Sequence, residues 1–464
     1  MWRTIKQAMF LAAGPALLLA LSGEPAQAKV KTYKGQFSDG ATYLIEVPSN
    51  WNGTLVLYSH GYVVPGSQNP AEDVGDPITR GYLLAKGYAL GGSSYATTGW
   101  AIQQALPDQV EVLDTFKAKV GPPKRTIAWG HSLGGMVTAG LVQRYPARFD
   151  AALPMCGVVG GGVGNWNQAL DLAFAFDILL GSGSGLQLVN ITDPAKNLGI
   201  AEGILNTAQG TAQGQARIAL AAALADAPGW FDPLSHEPSP TDYVTQEANQ
   251  YSWLSLIDFP FSFALRAEVE ARAGGNPSWN NGVDYAKQLQ SSVDYAEVKG
   301  LYQAAGLSVD TDIQALNQAA RIKANQPSVN YMKRNIIFNG KIPIPVLTLH
   351  TKGDGLVAVE NENAYKDVVD DGNDDAWLRQ VFVHRAGHCE FTPAETLVAF
   401  AALVGRLDTG KWPGLGPAGL NKAAKALGSQ FNVLVVNGVE HHVAPAYFNF
   451  KPAVFLRPFD AGKN

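Results

Sequence analysis

Cysteine is almost absent: Cys156 and Cys389 are the only two in 464 residues. That excludes a disulfide-built scaffold and any zinc centre of four cysteines. Charge is scarce as well. Charged residues make up 16% and the formal net charge is −5. No basic stretch follows the first few residues, so the phosphate-neutralising face of a nucleic-acid binder is missing. Beyond the N-terminus no run of about 18 uninterrupted apolar residues occurs, which leaves no membrane-spanning helix to expect. No P-loop, zinc-type Cys/His spacing or paired-carboxylate signature stands out. Gly414-Leu415-Gly416-Pro417-Ala418-Gly419 satisfies the spacing of a dinucleotide-binding turn, but it contains a proline, follows a helical stretch and opens no βαβ unit. No cofactor and no metal are expected. Asp370, Asp371, Asp374 and Asp375 read as a solvated polar turn, because their spacing fits no standard calcium loop.

What the chain does have is apolar material, 46% of residues, and glycine, 49 of them without a collagen period. It can bury a large core. Arg3 and Lys6, the apolar run Ala8–Leu21 and the small-residue site Ala26-Gln27-Ala28 read as a secretory leader, residues 1–28. The run is short and broken by Pro15, so no stable membrane insertion is expected and the protein is read as exported, periplasmic or secreted.

Short apolar runs alternate with helical patterns in two blocks. The first carries strand candidates Tyr43–Val47, Thr54–Ser59, Tyr88–Ser94, Thr126–Gly130 and Ala151–Met155. The second carries Pro345–His350 and Arg379–His384. Continuously apolar strands separated by helices predict a mostly parallel sheet covered on both faces. The blocks read as halves of one α/β core, residues 29–157 and 343–408. Between them, 158–342 is alanine-rich and helix-periodic, a helical cap over something apolar. Residues 409–464 read as an extension packing on the core.

Gly130-His131-Ser132-Leu133-Gly134 is a G-x-S-x-G pattern. Alone it means little; here an apolar strand runs into it and a helix follows. The serine then sits on a strained turn, Gly130 and Gly134 let strand and helix approach, and the helix start offers N–H groups to a developing anion. An idle serine on a glycine-rich turn is the alternative. A serine hydroxyl needs a positioned imidazole to take its proton.

This setting resembles the α/β-hydrolase superfamily, over about residues 40–157 and 343–408. The resemblance implies the chain order Ser, acid, His, with the acid after the seventh strand and His after the eighth. Asp354 and His388 stand there. It also implies an oxyanion hole from the backbone N–H groups of Tyr62, in His60-Gly61-Tyr62, and of Leu133. The loop from Val63 to Arg80 is expected to border the pocket. Asp354 could instead be a turn former and His388 a packing residue. Cys156 and Cys389 both fall at the carboxyl edge of the sheet, where they either pair or remain two buried thiols. The pair His388-Cys389 resembles that of tannases and fungal-type feruloyl esterases, in which a bridged cysteine follows the catalytic histidine. The chain departs from them at His131, where that group carries cysteine.

The expectation is therefore an exported serine esterase for a small or polymeric substrate, with hydrophobic or aromatic acyl groups favoured by the apolar cap. A peptidase or amidase on the same scaffold is the first rival. It would want acidic residues in the cap to hold an amine, and Glu268 and Glu270 form no pattern for that. A binding protein that has kept the fold without activity is the second. Sequence leaves the oligomeric state open.

Overall fold

The computed structural model describes residues 29–459; the leader expected over residues 1–28 lies outside them. The centre is a nine-stranded sheet in the order β1-β2-β4-β3-β5-β6-β7-β8-β11. Its strands are β1 (Val30–Gln36), β2 (Thr42–Pro48), β3 (Thr54–Ser59), β4 (Ala89–Ser93), β5 (Arg125–His131), β6 (Ala151–Met155), β7 (Val346–Gly353), β8 (Leu378–Ala386) and β11 (Tyr447–Phe448). From β4 to β8 neighbouring strands are parallel, while β1, β2 and β11 run antiparallel to theirs. The two sequence blocks thus join in one sheet, as the α/β-hydrolase fold requires. β9 (Val433–Val436) and β10 (Val439–His442) form a separate hairpin.

The strands are apolar on both sides because both sides are covered. Leu55, Leu57 and Ala128 face one way. There they meet α1 (Ile102–Lys119), α2 (Leu133–Arg144) and α3 (Asn361–Asp371). Val56, Tyr58, Ile127 and Trp129 face the other way, toward Pro77–Ala85 and α4 (Pro393–Thr409). This alternation along single strands is the period of two that pleating imposes.

Between β6 and β7 the chain forms helices from Gly162–Phe176 to Gln326–Arg334. They have their own core, with Phe174, Phe176, Leu220, Phe259, Phe263 and Tyr302 buried together. Three stretches open into wider π turns, Asp177–Gly181, Leu254–Asp258 and Phe261–Leu265. The last two flank Pro260, which has no N–H to donate and so breaks the regular ladder. No helix among the described residues is long and apolar enough to cross a membrane.

Candidate active site

Ser132 stands at the turn from β5 into α2, with φ 57° and ψ −125°. This is a left-handed conformation that a serine adopts only when its surroundings enforce it. The glycines explain how. A Cβ on Gly134 would lie 1.9 Å from the Ser59 carbonyl oxygen, and one on Gly130 would lie 2.5 Å from the same atom. Helix and strand could not approach around any larger residue. The Ser132 N–H donates to Met155 O at 2.9 Å, which ties the turn to β6.

Cys156 follows Met155 and is bonded to Cys389 across 233 residues of sequence, with Cα atoms 5.4 Å apart. His388 precedes Cys389, so one hydrogen bond and one disulfide connect the serine turn to the histidine loop. Cys156, Cys389 and His388 also cluster in the manner of metal ligands, but the bridge consumes both thiolates.

β7 ends at Gly353 and Asp354 begins the following loop; β8 ends at Ala386, two residues before His388. The two side chains meet, His388 Nδ1 lying 2.7 Å from Asp354 Oδ2. The other oxygen of Asp354 accepts from the N–H groups of Leu356 and Val357 at 3.1 and 3.0 Å. The carboxylate therefore forms a turn and orients an imidazole at once; the two readings of Asp354 are compatible. Burial pushes its pKa up, but His388 and His350 outweigh this and hold it below the ordinary carboxylate range. His388 Nε2 is 3.4 Å from Cys389 Sγ, and Ser132 Oγ makes no hydrogen bond among the described residues. Such contacts often tighten only when substrate is bound.

The N–H groups of Tyr62 and Leu133 make no backbone hydrogen bonds among the described residues. Both residues line the same cleft as Ser132. His60 anchors the Tyr62 loop, stacked on Tyr95 at 4.0 Å between centroids, with its ring nitrogens 2.8 Å from Gly61 O and 3.1 Å from Ser94 O. His131, beside the serine, points away from the cleft; its Nδ1 is 3.2 Å from Tyr58 Oη. Burial and the neighbouring His388 push its pKa down to about 4, so it is neutral at pH 7.

The cleft holds about 680 Å³ of space between its walls, part of it open to solvent. Trp100, Trp166, Leu172, Phe261 and Leu356 give it apolar walls, and no lysine or arginine among the described residues lines it. The loop expected to border it, residues 63–80, contributes no wall; cap residues do so instead. Glu268 accepts from the Trp100 N–H at 3.1 Å and pairs with Arg272, and Glu270 accepts from the Ile191 N–H, so both cap glutamates are structural. The acid in the cleft is Asp258, which sequence reasoning passed over.

Sequence reasoning also missed His350. It is wholly buried in β7, with Nδ1 3.1 Å from Glu362 Oε1 and Nε2 2.9 Å from Val357 O and 3.4 Å from Asp354 Oδ2. Burial would lower its pKa, but the two carboxylates prevail and raise it to about 10. A buried imidazolium therefore stands behind the acid. The only available signal was its position within the strand that leads into Asp354, four residues before it.

A family model described as the prolyl oligopeptidase family matches residues 92–161, the segment around the serine turn. An o-phthalyl amidase of Xanthobacter agilis is 29% identical over 435 residues, covering 88% of this chain and 94% of that protein. Among solved structures, an esterase from Aspergillus oryzae is 17% identical, covering 83% of this chain and 80% of that one, with a TM-score of 0.37. Feruloyl esterase B from the same organism is 14% identical, covering 83% and 81%, with a TM-score of 0.38.

Proposed function

We propose that the chain is a serine hydrolase of the α/β-hydrolase type that cleaves carboxylic esters of hydrophobic or aromatic acids through an acyl-enzyme on Ser132. The observation that carries this is the Asp354–His388 pair at 2.7 Å, joined through the Cys156–Cys389 bridge to the strained turn that bears Ser132. In this reading Ser132 Oγ attacks the substrate carbonyl while His388 Nε2 takes its proton. Asp354 holds the Nδ1–H and stabilises the imidazolium. The oxyanion receives the N–H groups of Tyr62 and Leu133, each donor worth about 10²–10³ in rate. His388 then protonates the departing alkoxide, and water repeats the sequence on the acyl-enzyme. The reading requires no cofactor. The apolar, cap-covered cleft supports a small substrate over a polymer.

Amide cleavage is a second reading, favoured by the likeness to the o-phthalyl amidase over 94% of that protein. The steps are the same, with His388 delivering its proton to an amine. The leader read in residues 1–28 of the sequence and the disulfide support export to an oxidising compartment.

A fluorophosphonate probe tests the nucleophile. It should label Ser132, located by peptide mass spectrometry, and Ser132→Ala should lose label and about 10⁴-fold or more of turnover. A folded protein that takes no label would leave a binding protein as the better reading. Matched aryl esters and anilides then separate the two chemistries.

A further inference from the structure

Three cleft residues carry a buried polar atom without a hydrogen-bond partner: Tyr62 Oη, Trp166 Nε1 and Asp258 Oδ2. Two are donors and the third belongs to a carboxyl. Buried polar groups are rarely left unpaired unless a ligand or water completes them. Asp258 stands out, since Asp, unlike Tyr or Trp, carries no large apolar surface to justify its place in an apolar wall. It closes the π turn Leu254–Asp258. The preceding Trp253 packs so tightly on the Asp354 loop that a Cβ on Gly355 would lie 2.3 Å from its ring. The acid is thus held over the catalytic loop by the cap.

We propose that Asp258 selects substrate by hydrogen bonding to an acceptor oxygen, such as a carbonyl or carboxylate, carried by an otherwise apolar substrate. The inference rests on the hydrolase reading above and adds the substrate class. The charge balance around the cleft supports it. No lysine or arginine among the described residues lines the cleft to hold Asp258 ionised. Burial first, and then the nearby Asp354 carboxylate, push its pKa well above the ordinary value. A second carboxylate beside Asp354 would be repelled, so the neutral acid is the favoured form and carries an O–H to donate. Tyr62 and Trp166, whose Oη and Nε1 also lack a partner among the described residues, line the same cleft. A neutral acid offers an O–H to an oxygen acceptor, whereas an ammonium group would want it ionised.

The test compares phenyl benzoate with its analogues bearing an acetyl group on the acyl or the alcohol ring. Binding is titrated in the Ser132→Ala background and kcat/KM is measured in the active protein. The protein should prefer an acetylated ester, and Asp258→Leu should reduce that preference about tenfold, in binding and in kcat/KM alike. Asp258→Asn, whose amide is nearly isosteric and still donates, should retain it within about threefold. Fluorophosphonate labelling of Ser132 in both variants shows that they are folded. A preference unchanged in Asp258→Leu would overturn the proposal. So would an Asn variant as impaired as the Leu one, or a wild-type preference for an ammonium-bearing ester that Asp258→Asn abolishes. Continued hydrolysis by Ser132→Ala would instead strike at the nucleophile assignment, leaving the binding result to decide Asp258.

Discussion

His350 lies between Glu362 and Asp354, wholly buried. Its pKa of about 10 exceeds the value of about 6.5 for an unfolded histidine. Its contribution to stability is then full below pH 6.5 and lost as pH rises toward 10. Asp354, held low, works at the other end: its contribution is present above about pH 3.9 and lost as pH falls through its depressed value. His350→Leu would leave Glu362 buried without its cation and should cost about 3–5 kcal/mol at pH 6. Urea unfolding at pH 6 and pH 10 checks this, and the gap between variant and wild type should narrow at the higher pH. An equal gap at both would mean that the imidazole is neutral. Asp354→Asn should leave the turn largely intact and lower kcat by about 10⁴-fold, the loss expected when an imidazole is held in the wrong tautomer.

The histidine loop between β8 and α4 is short and strained. Gly387 and Cys389 have φ of 97° and 59°, and Cys156 across the bridge has φ 43°. Backbone held in this way keeps His388 aimed only while its anchors persist. Replacing both cysteines by serine should therefore act twice. Loss of a bridge across 233 residues removes about 5.5 kcal/mol in the chain-entropy account, visible as a lower melting temperature. Release of the loop should also reduce kcat by about tenfold with little change in KM, because His388 does not itself bind the substrate. An unchanged kcat would make the bridge purely structural. The π turns around Pro260 belong to the same scale, since they bring Asp258 and Phe261 to the cleft wall.

Across the whole molecule, the C-terminal extension joins cap to core. β11 closes the β8 edge of the sheet, which unpaired would invite association with another chain. Further on, Phe455 is buried at 1% exposure against the helix Gly162–Phe176, so close that a Cβ on Gly164 would lie 2.9 Å from its ring. Arg457 then pairs with the buried Asp171 of that helix at 2.5 Å and donates to Trp279 O. Phe455→Ala should destabilise the fold by about 3–5 kcal/mol and loosen the cap, measured as a lower unfolding midpoint and faster proteolysis within residues 162–334. A variant as protease-resistant as wild type would show that the tail does not secure the cap. Glu237 reaches from the cap to Lys352 at 2.6 Å and His384 at 2.7 Å, a second tie between cap and core.

What could be read from the sequence was contiguous. Strands β2 to β8 and the serine turn with Gly130 and Gly134 follow from short-range patterning and glycine sterics, each within a few neighbouring residues, while Asp354 and His388 were expected from the chain order that the resemblance implies. The two-residue strand β11 is too short to show a pattern and exists because β8 offers it an edge. Asp258, the His350–Glu362 pair behind Asp354 and the Tyr62 side chain against Phe261 were illegible for a different reason. Their surroundings are assembled by the docking of cap on core and by the packing of separate segments, and no local periodicity reports such contacts. The sequence alone determined the strands and the serine turn, because both are locally encoded; the tertiary structure decided what faces them.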